Sequence, residues 1–269
     1  MRQKDASGAP PREWDARTYH TVSEPQFEWG KRVLATLELN GDEVVIDAGC
    51  GSGRLTTLLA ERLPRGRVVA VDRSVNMVKM AGETLVPFGD RALVAAADLS
   101  NLPFIAAFDV VFSTATFHWI VDHDRLFASL FDALRAGGRV HAQCGGGTNL
   151  IRIHTRADAL TALPEFASYF RDWSVPKEFA DAETTCARLE RAGFHDVDTN
   201  LEDAPFVFPD AQAFRTFVST VVLRPYLAKL GDERLRDSFL DRITNAAAAD
   251  SPAFELDYCR LNLAATKPR

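Results

Sequence analysis

Three carboxylates and three glycines carry the clearest chemistry in the sequence. The segment Val44-Val45-Ile46-Asp47-Ala48-Gly49-Cys50-Gly51-Ser52-Gly53-Arg54 runs from a β-branched stretch into a glycine-rich turn. Glycine lets the backbone bend sharply there and approach a ligand where a Cβ would collide. The spacing is G-x-G-x-G, whereas dinucleotide-binding turns use G-x-G-x-x-G and phosphate loops end in Gly-Lys-Ser/Thr. Asp47, just before the turn, would repel a pyrophosphate but attract the ammonium of an amino-acid moiety. Asp72 ends a second apolar run about 20 residues beyond the loop, where a carboxylate can take the ribose hydroxyls. Asp98, at the end of a third run, is placed to accept from an adenine amino group. Such a set suits a cationic, phosphate-free nucleoside better than a nicotinamide dinucleotide.

The elements that must position these groups follow from the hydrophobic rhythm. Phe27, Val33, Leu34 and Leu37 predict an amphipathic helix between Pro25 and Leu39. Short apolar runs predict strands at Val44–Ile46, Arg67–Val71, Ala92–Ala97, Phe108–Thr114 and Arg139–Gln143. Between them lie helical stretches, at 55–63, from a Ser74 cap to about Val86, and from about Asp122 to Leu134, where Gly137-Gly138 supplies a stop. This alternation makes right-handed βαβ units and an α/β, doubly wound sheet. Gly145-Gly146-Gly147 interrupts the pattern, and 148–182 holds helical pieces rich in aromatics. A helix at 182–192, a strand through 197–201, helices over 210–230 and 232–248 and a last strand at about 254–265 complete the reading.

Composition bounds the function. The 269 residues are 46% hydrophobic and 25% charged, as in an ordinary globular protein. A net charge of −6 argues against bulk attraction to nucleic acid or anionic membrane. The longest uncharged stretches, such as Val110 to Val121, fall short of the roughly 20 apolar residues of a membrane helix. Met1 to Glu13 has no apolar core of a secretory signal. Cys50, Cys144, Cys186 and Cys259 form no C-x-x-C pair and read as reduced residues of a cytoplasmic protein. No His/Asp/Glu cluster has the spacing of metal ligands, so no metal is expected.

Five stretches taken together resemble the class I S-adenosylmethionine-dependent methyltransferases: Val-Ile-Asp-Ala-Gly-Cys-Gly-Ser-Gly (45–53), Val-Asp-Arg-Ser (71–74), Ala-Ala-Asp-Leu (96–99), Phe-Asp-Val-Val-Phe-Ser (108–113) and Leu-Arg-Ala-Gly-Gly-Arg-Val (134–140). Their order and spacing agree over roughly residues 30–145. Thr116-Phe117-His118-Trp119 resembles the trans-aconitate methyltransferase-like branch, which acts on small molecules. The resemblance implies a seven-stranded, mostly parallel sheet with the last strand reversed, in a single domain over 1–269. It also implies a cofactor half at about 30–146, and helical insertions at about 148–182 and 208–250 that form a lid.

Roles for further residues come with it. Gly49, Gly51, Gly53, Asp47, Asp72 and Asp98 are expected on S-adenosylmethionine, with Arg73, Leu99 and Thr114 beside them and Cys50 through its backbone. Met77 stands where the family places a hydrophobic residue against the adenine, and Gln26 and Trp29 lie in a segment that covers the cofactor. His118 is the catalytic candidate, since an imidazole there can deprotonate a hydroxyl or orient a carboxylate. Tyr19, His20, Trp119 and Arg224 are candidates for the acceptor pocket; an arginine there would hold an acidic group bidentately. His123 reads as a solvated helix start, and His141, His154 and His195 as structural. The expected reaction is O-methylation of a carboxylate or hydroxyl on a small molecule, releasing S-adenosylhomocysteine, by a monomer or homodimer. A non-catalytic protein binding the same cofactor and a nucleotide-dependent oxidoreductase are the rival readings.

Overall fold

The structure, a computed structural model, describes Glu13, Trp14, Ala16 and residues 24–269. Helix α1 (Glu24–Thr36) leads into β1 (Val44–Ala48), α2 (Arg54–Glu61), β2 (Arg67–Asp72), α3 (Val75–Leu85) and β3 (Ala92–Ala96). Then come β4 (Phe108–Thr114), α4 (His123–Ala133), β5 (Leu134–Gly145), α5 (Ile151–Thr161), α6 (Ala182–Arg191) and β6 (His195–Asp203). The chain ends with β7 (Phe206–Val207), α7 (Ala211–Phe217), α8 (Arg224–Lys229), α9 (Glu233–Ala248), β8 (Glu255–Leu256) and β9 (Cys259–Thr266).

The main sheet has seven strands in the order β3-β2-β1-β4-β5-β9-β6. Neighbours from β3 to β5 are parallel, and β9 runs antiparallel between β5 and β6, as the resemblance implied. Strand β1 lies next to the central strand β4, and the order reverses between the two, so the carboxyl ends of β1, β2 and β4 border one crevice. Open α/β sheets bind ligands at such a switch point. The β-branched runs are buried as expected: Val45, Ile46, Val110 and Val111 have no exposed surface.

Three boundaries differ from the sequence expectation. Strand β5 begins at Leu134, five residues ahead of the expected Arg139, because Leu134 already pairs with Phe108 in the sheet. The stretch expected as one strand from 254 divides in two. Glu255 and Leu256 pair with β7 in a separate two-stranded sheet, and the main-sheet ladder starts only at Cys259. The helix expected over 210–230 is broken by a π-helical turn, Val218–Val222, closed by Leu223 N–H on the Val218 carbonyl at 2.7 Å.

Two of the packed cores bear on the site. Under the sheet, Val111, Phe117, Leu126, Leu130 and Leu263 join β4, β5 and β9 to α4. A second cluster is built from the two insertions: Ile153 and Ala157 of α5, Phe166, Phe214, Phe217, Tyr226 and Phe239, with Trp29 of α1 joining it. No helix of the described residues is long and apolar enough to cross a membrane.

Candidate active site

Asp47 lies one residue before the end of β1 and is 3% exposed. Its Oδ2 accepts a hydrogen bond from Thr56 Oγ1, in the first turn of α2, at 2.6 Å. Burial pushes its pKa up to about 7; the Thr56 bond opposes this and the nearby Asp72 charge adds to it. Asp72 holds the loop, taking the Gly51 N–H on Oδ2 at 3.0 Å and the Ser74 N–H on Oδ1 at 2.8 Å. Its pKa is also raised by burial, against those backbone donors. Gly49 and Cys50 both donate to the Val71 carbonyl, at 2.8 and 3.0 Å, which pins the turn to the end of β2.

The glycines differ in purpose. Gly49 has φ +88°, and a Cβ there would meet the Thr116 side chain at 2.2 Å. Gly51 has φ +54°, and a Cβ there would meet nothing within 4 Å. The first lets the segment after β4 close onto the loop, while the second borders open space. Asp98 caps a short 3-10 turn, accepting from Ser100 N–H at 2.9 Å. Met77 and Leu99 are buried, Thr114 is half-buried and Arg73 is exposed.

Glu13 and Trp14 come to the same rim. Glu13 Oε2 accepts from Ser74 Oγ at 2.7 Å, and Asn76 Nδ2 donates to the Trp14 carbonyl at 3.0 Å. The Trp14 ring meets Trp119 edge-on at 5.4 Å, and the Arg224 guanidinium lies over Trp14 at 4.2 Å. Neither residue carried a recognisable motif in sequence. Tyr19 and His20, expected at the acceptor pocket, lie outside the described residues.

Beyond β4 the backbone passes through Ala115 at φ +54° into a 3-10 turn, Phe117–Trp119, that carries His118 inward. His118 is buried, and its Nδ1 accepts the Gly145 N–H at 3.2 Å. A neutral ring with that bond carries its proton on Nε2 and presents a donor. Burial, with Lys177 and Arg260 adding, holds its pKa well below the usual histidine value. The His118 ring stacks on Phe179 at 5.6 Å. Lys177 reaches the same place: its Nζ is 4.4 Å from the Trp119 ring centroid and 5.9 Å from that of Phe179, and donates to the Val222 carbonyl at 3.1 Å. That carbonyl belongs to the π-helical turn. Burial pushes the Lys177 pKa down to about 7.

Around Trp29 a further polar set forms. Trp29 packs on Tyr258 at 4.7 Å, the Arg260 guanidinium lies over it at 4.9 Å, and Arg260 Nε donates to Gln143 Oε1 at 3.3 Å. Gln26 Nε2 donates to Tyr258 Oη at 3.4 Å, while its Oε1 is buried without a partner among the described residues. Sequence reasoning missed Lys177, Phe179, Tyr226 and Arg260. Arg260 did leave a signal, the one charge on the mostly apolar strand β9, and it is 3% exposed.

Other sequence expectations are corrected or placed. His123 is buried, not solvated: it bonds the Phe117 carbonyl through Nε2 at 3.1 Å and Arg188 through Nδ1 at 3.3 Å. His141 bonds the Val33 carbonyl at 3.2 Å, and His195 pairs with Asp196 at 2.7 Å. Arg152 and Arg156 are held by Glu255 and Asp250, both at 2.6 Å.

Residues 45–138 match a sequence family described as a methyltransferase domain. The trans-aconitate 2-methyltransferase of Deinococcus radiodurans is 27% identical over 95% of this chain and 98% of its own. The malonyl-[acyl-carrier protein] O-methyltransferase of Geobacter sulfurreducens is 33% identical over 77% of this chain and 76% of its own. Among solved structures, phosphoethanolamine N-methyltransferase 2 of Haemonchus contortus in complex with S-adenosyl-L-methionine has a TM-score of 0.61 at 20% identity. The match covers 94% of this chain but 57% of that one, and at that identity it establishes the fold alone. Sheet order and relatives agree: the chain belongs to the class I S-adenosylmethionine-dependent methyltransferases, with S-adenosylmethionine as its cofactor.

Proposed function

We propose that the chain methylates a carboxylate oxygen of a small organic acid, giving a methyl ester. The observation that carries this reading is Lys177. Its ammonium is buried against the Trp119 and Phe179 rings close to His118, and no acidic side chain of the described residues contributes to its environment. A buried cation without a counter-ion is costly, and an incoming carboxylate removes the cost. The names of the relatives above, which specify trans-aconitate and a malonyl group, agree with an acidic acceptor.

The residues at the strand ends fit the cofactor. Asp47 is a carboxyl group that burial discourages from ionising, which a cationic amino group would reverse. Asp72 keeps lone pairs beyond the two backbone bonds it accepts, enough for a pair of ribose hydroxyls. Asp98 stands at the next strand end for an adenine amino group, and the open space beside Gly51 admits a ligand to the loop backbone. When bound, the cofactor supplies an electrophilic sulfonium methyl. The protein's task is alignment and exclusion of water. Lys177 and the Nε2–H of His118 orient the acceptor carboxylate. A carboxylate is already a nucleophile, so His118 acts as a donor and not as a base. The aromatic cluster of the two insertions forms the lid over the acceptor.

The test is release of S-adenosylhomocysteine from S-adenosylmethionine with a panel of mono-, di- and tricarboxylic acids, the product identified by mass spectrometry. A methyl ester from at least one acid is expected. Transfer confined to amines or alcohols would overturn the reading.

A further inference from the structure

His154 and Asp158 lie one turn apart on α5 and both face Tyr226 of α8. The Tyr226 hydroxyl donates its single proton to Asp158 Oδ1 at 2.6 Å. Its oxygen is then an acceptor, and the group 3.5 Å away is His154 Nδ1. A lone pair on Nδ1 would face a lone pair on Tyr226, so the neutral imidazole carries its proton on Nδ1. Nε2 is left with the lone pair. That atom is buried and has no partner among the described residues. Burial, with Lys177 adding, pushes the His154 pKa down to about 3, so the ring stays neutral and the lone pair is available. Burial likewise raises the Tyr226 pKa, which keeps the hydroxyl protonated.

The ring stands beside the groups already assigned to the acceptor. Phe179 lies 5.6 Å from His154 and 5.6 Å from His118, with Lys177 Nζ 5.9 Å from its centroid. Lys177 and His118 are donors, which suit a carboxylate. His154 Nε2 is an acceptor in the same neighbourhood and suits the opposite polarity. Buried polar atoms are nearly always paired, and an orphan points to a missing ligand group.

We propose that His154 Nε2 accepts a hydrogen bond from a hydroxyl on the acceptor, making the natural substrate a hydroxy acid. Tyr226 and Asp158 are positioning residues that set the tautomer. This rests on the carboxylate reading above. An acid lacking the hydroxyl leaves a buried acceptor unpaired, which corresponds to roughly 10–100-fold in kcat/KM.

The experiment measures kcat/KM for acids that differ by one hydroxyl: lactate and propionate, malate and succinate, citrate and tricarballylate. Wild-type protein is expected to favour the hydroxylated member of at least one pair by roughly 10–100-fold. His154→Phe, which keeps a ring beside Phe179, is expected to bring that ratio close to one, with S-adenosylhomocysteine affinity as the check on folding. The wild-type ratio is informative even if the variant does not fold. A ratio within about twofold in every pair, or a preference that survives in a folded His154→Phe, overturns the hydroxyl subsite and leaves the carboxylate reading standing. If no acid is methylated, the carboxylate reading itself falls, and the subsite with it.

Discussion

Lys177 sets its ammonium 4.4 Å from the centroid of the Trp119 ring, and Trp119 in turn meets Trp14 edge-on beneath Arg224. A cation on an aromatic face gains roughly 0.5–2 kcal/mol, which offsets only part of the cost of burying an ammonium. On the carboxylate reading, the bound acceptor offsets the remainder. Replacing Lys177 with Met should therefore stabilise the unliganded protein by about 1–4 kcal/mol, read from denaturant unfolding. The same change should raise KM for the acid acceptor by roughly 100-fold or more, with S-adenosylhomocysteine affinity retained. A variant that loses stability together with activity would refute the assignment.

The two perturbed groups predict opposite pH dependences. Asp47 must ionise to pair with the cofactor's ammonium, and its pKa is about 7. Affinity for S-adenosylhomocysteine should thus fall about tenfold per pH unit below that point and level off above it. Lys177, with a pKa of about 7, loses its charge as pH rises, so acceptor binding should weaken in the alkaline direction. Stability carries its own sign. Asp47 is protonated in the folded chain and ionised in the unfolded one between about 4 and 7, so its contribution falls as pH rises through that window. Calorimetric titrations of Asp47→Asn against wild type from pH 5.5 to 8.5 check the cofactor half; an unchanged pH slope in the variant would falsify it.

Gly49 and Gly51 should respond differently to alanine. At Gly49 the new Cβ meets Thr116, and both glycines have positive φ. Gly49→Ala should destabilise by about 2–4 kcal/mol, and adding Thr116→Gly should recover the steric part. Gly51→Ala meets only open space, so its stability loss should stay near 1 kcal/mol. Its main effect should be on cofactor affinity. Thermal unfolding and titration of Gly49→Ala, Gly51→Ala, Thr116→Gly and the Gly49→Ala/Thr116→Gly double variant separate the cases, and strict additivity of Gly49→Ala with Thr116→Gly would refute the clash.

The parts visible in sequence are those whose positions are local. The strand-loop-helix segment around Asp47 and the strand ends at Asp72 and Asp98 follow from apolar runs and turn glycines, and the sheet order agrees with them. The proposed acceptor side is hidden in the sequence because its contacts are between distant segments. Lys177 sits in an irregular stretch and meets Trp119 and Val222, while Tyr226 meets His154 72 residues away. No periodicity reports such a meeting. His123 was misread for the same reason: Asp122 does cap a helix there, but Arg188 of α6 covers the ring. The reversed strand was placed correctly, while its early part was lost to pairing with β7, which only the fold could reveal.

His118 provides the last prediction, since a donor and a base behave differently. Its Nδ1 is occupied by the Gly145 N–H, and its pKa lies well below the usual histidine range because the ring is buried near Lys177 and Arg260. A ring that burial keeps neutral near neutral pH contributes no ionisation of its own to the rate profile there. His118→Asn offers an amide N–H in place of Nε2–H and should retain roughly a tenth of kcat, whereas His118→Phe should lose a further factor of about ten or more. Both variants should keep the pH dependence set by Asp47 and Lys177. If His118→Asn instead removes an inflection between pH 5.5 and 6.5 and falls as far as His118→Phe, the residue takes a proton in the reaction. The acceptor would then be a hydroxyl and not a carboxylate.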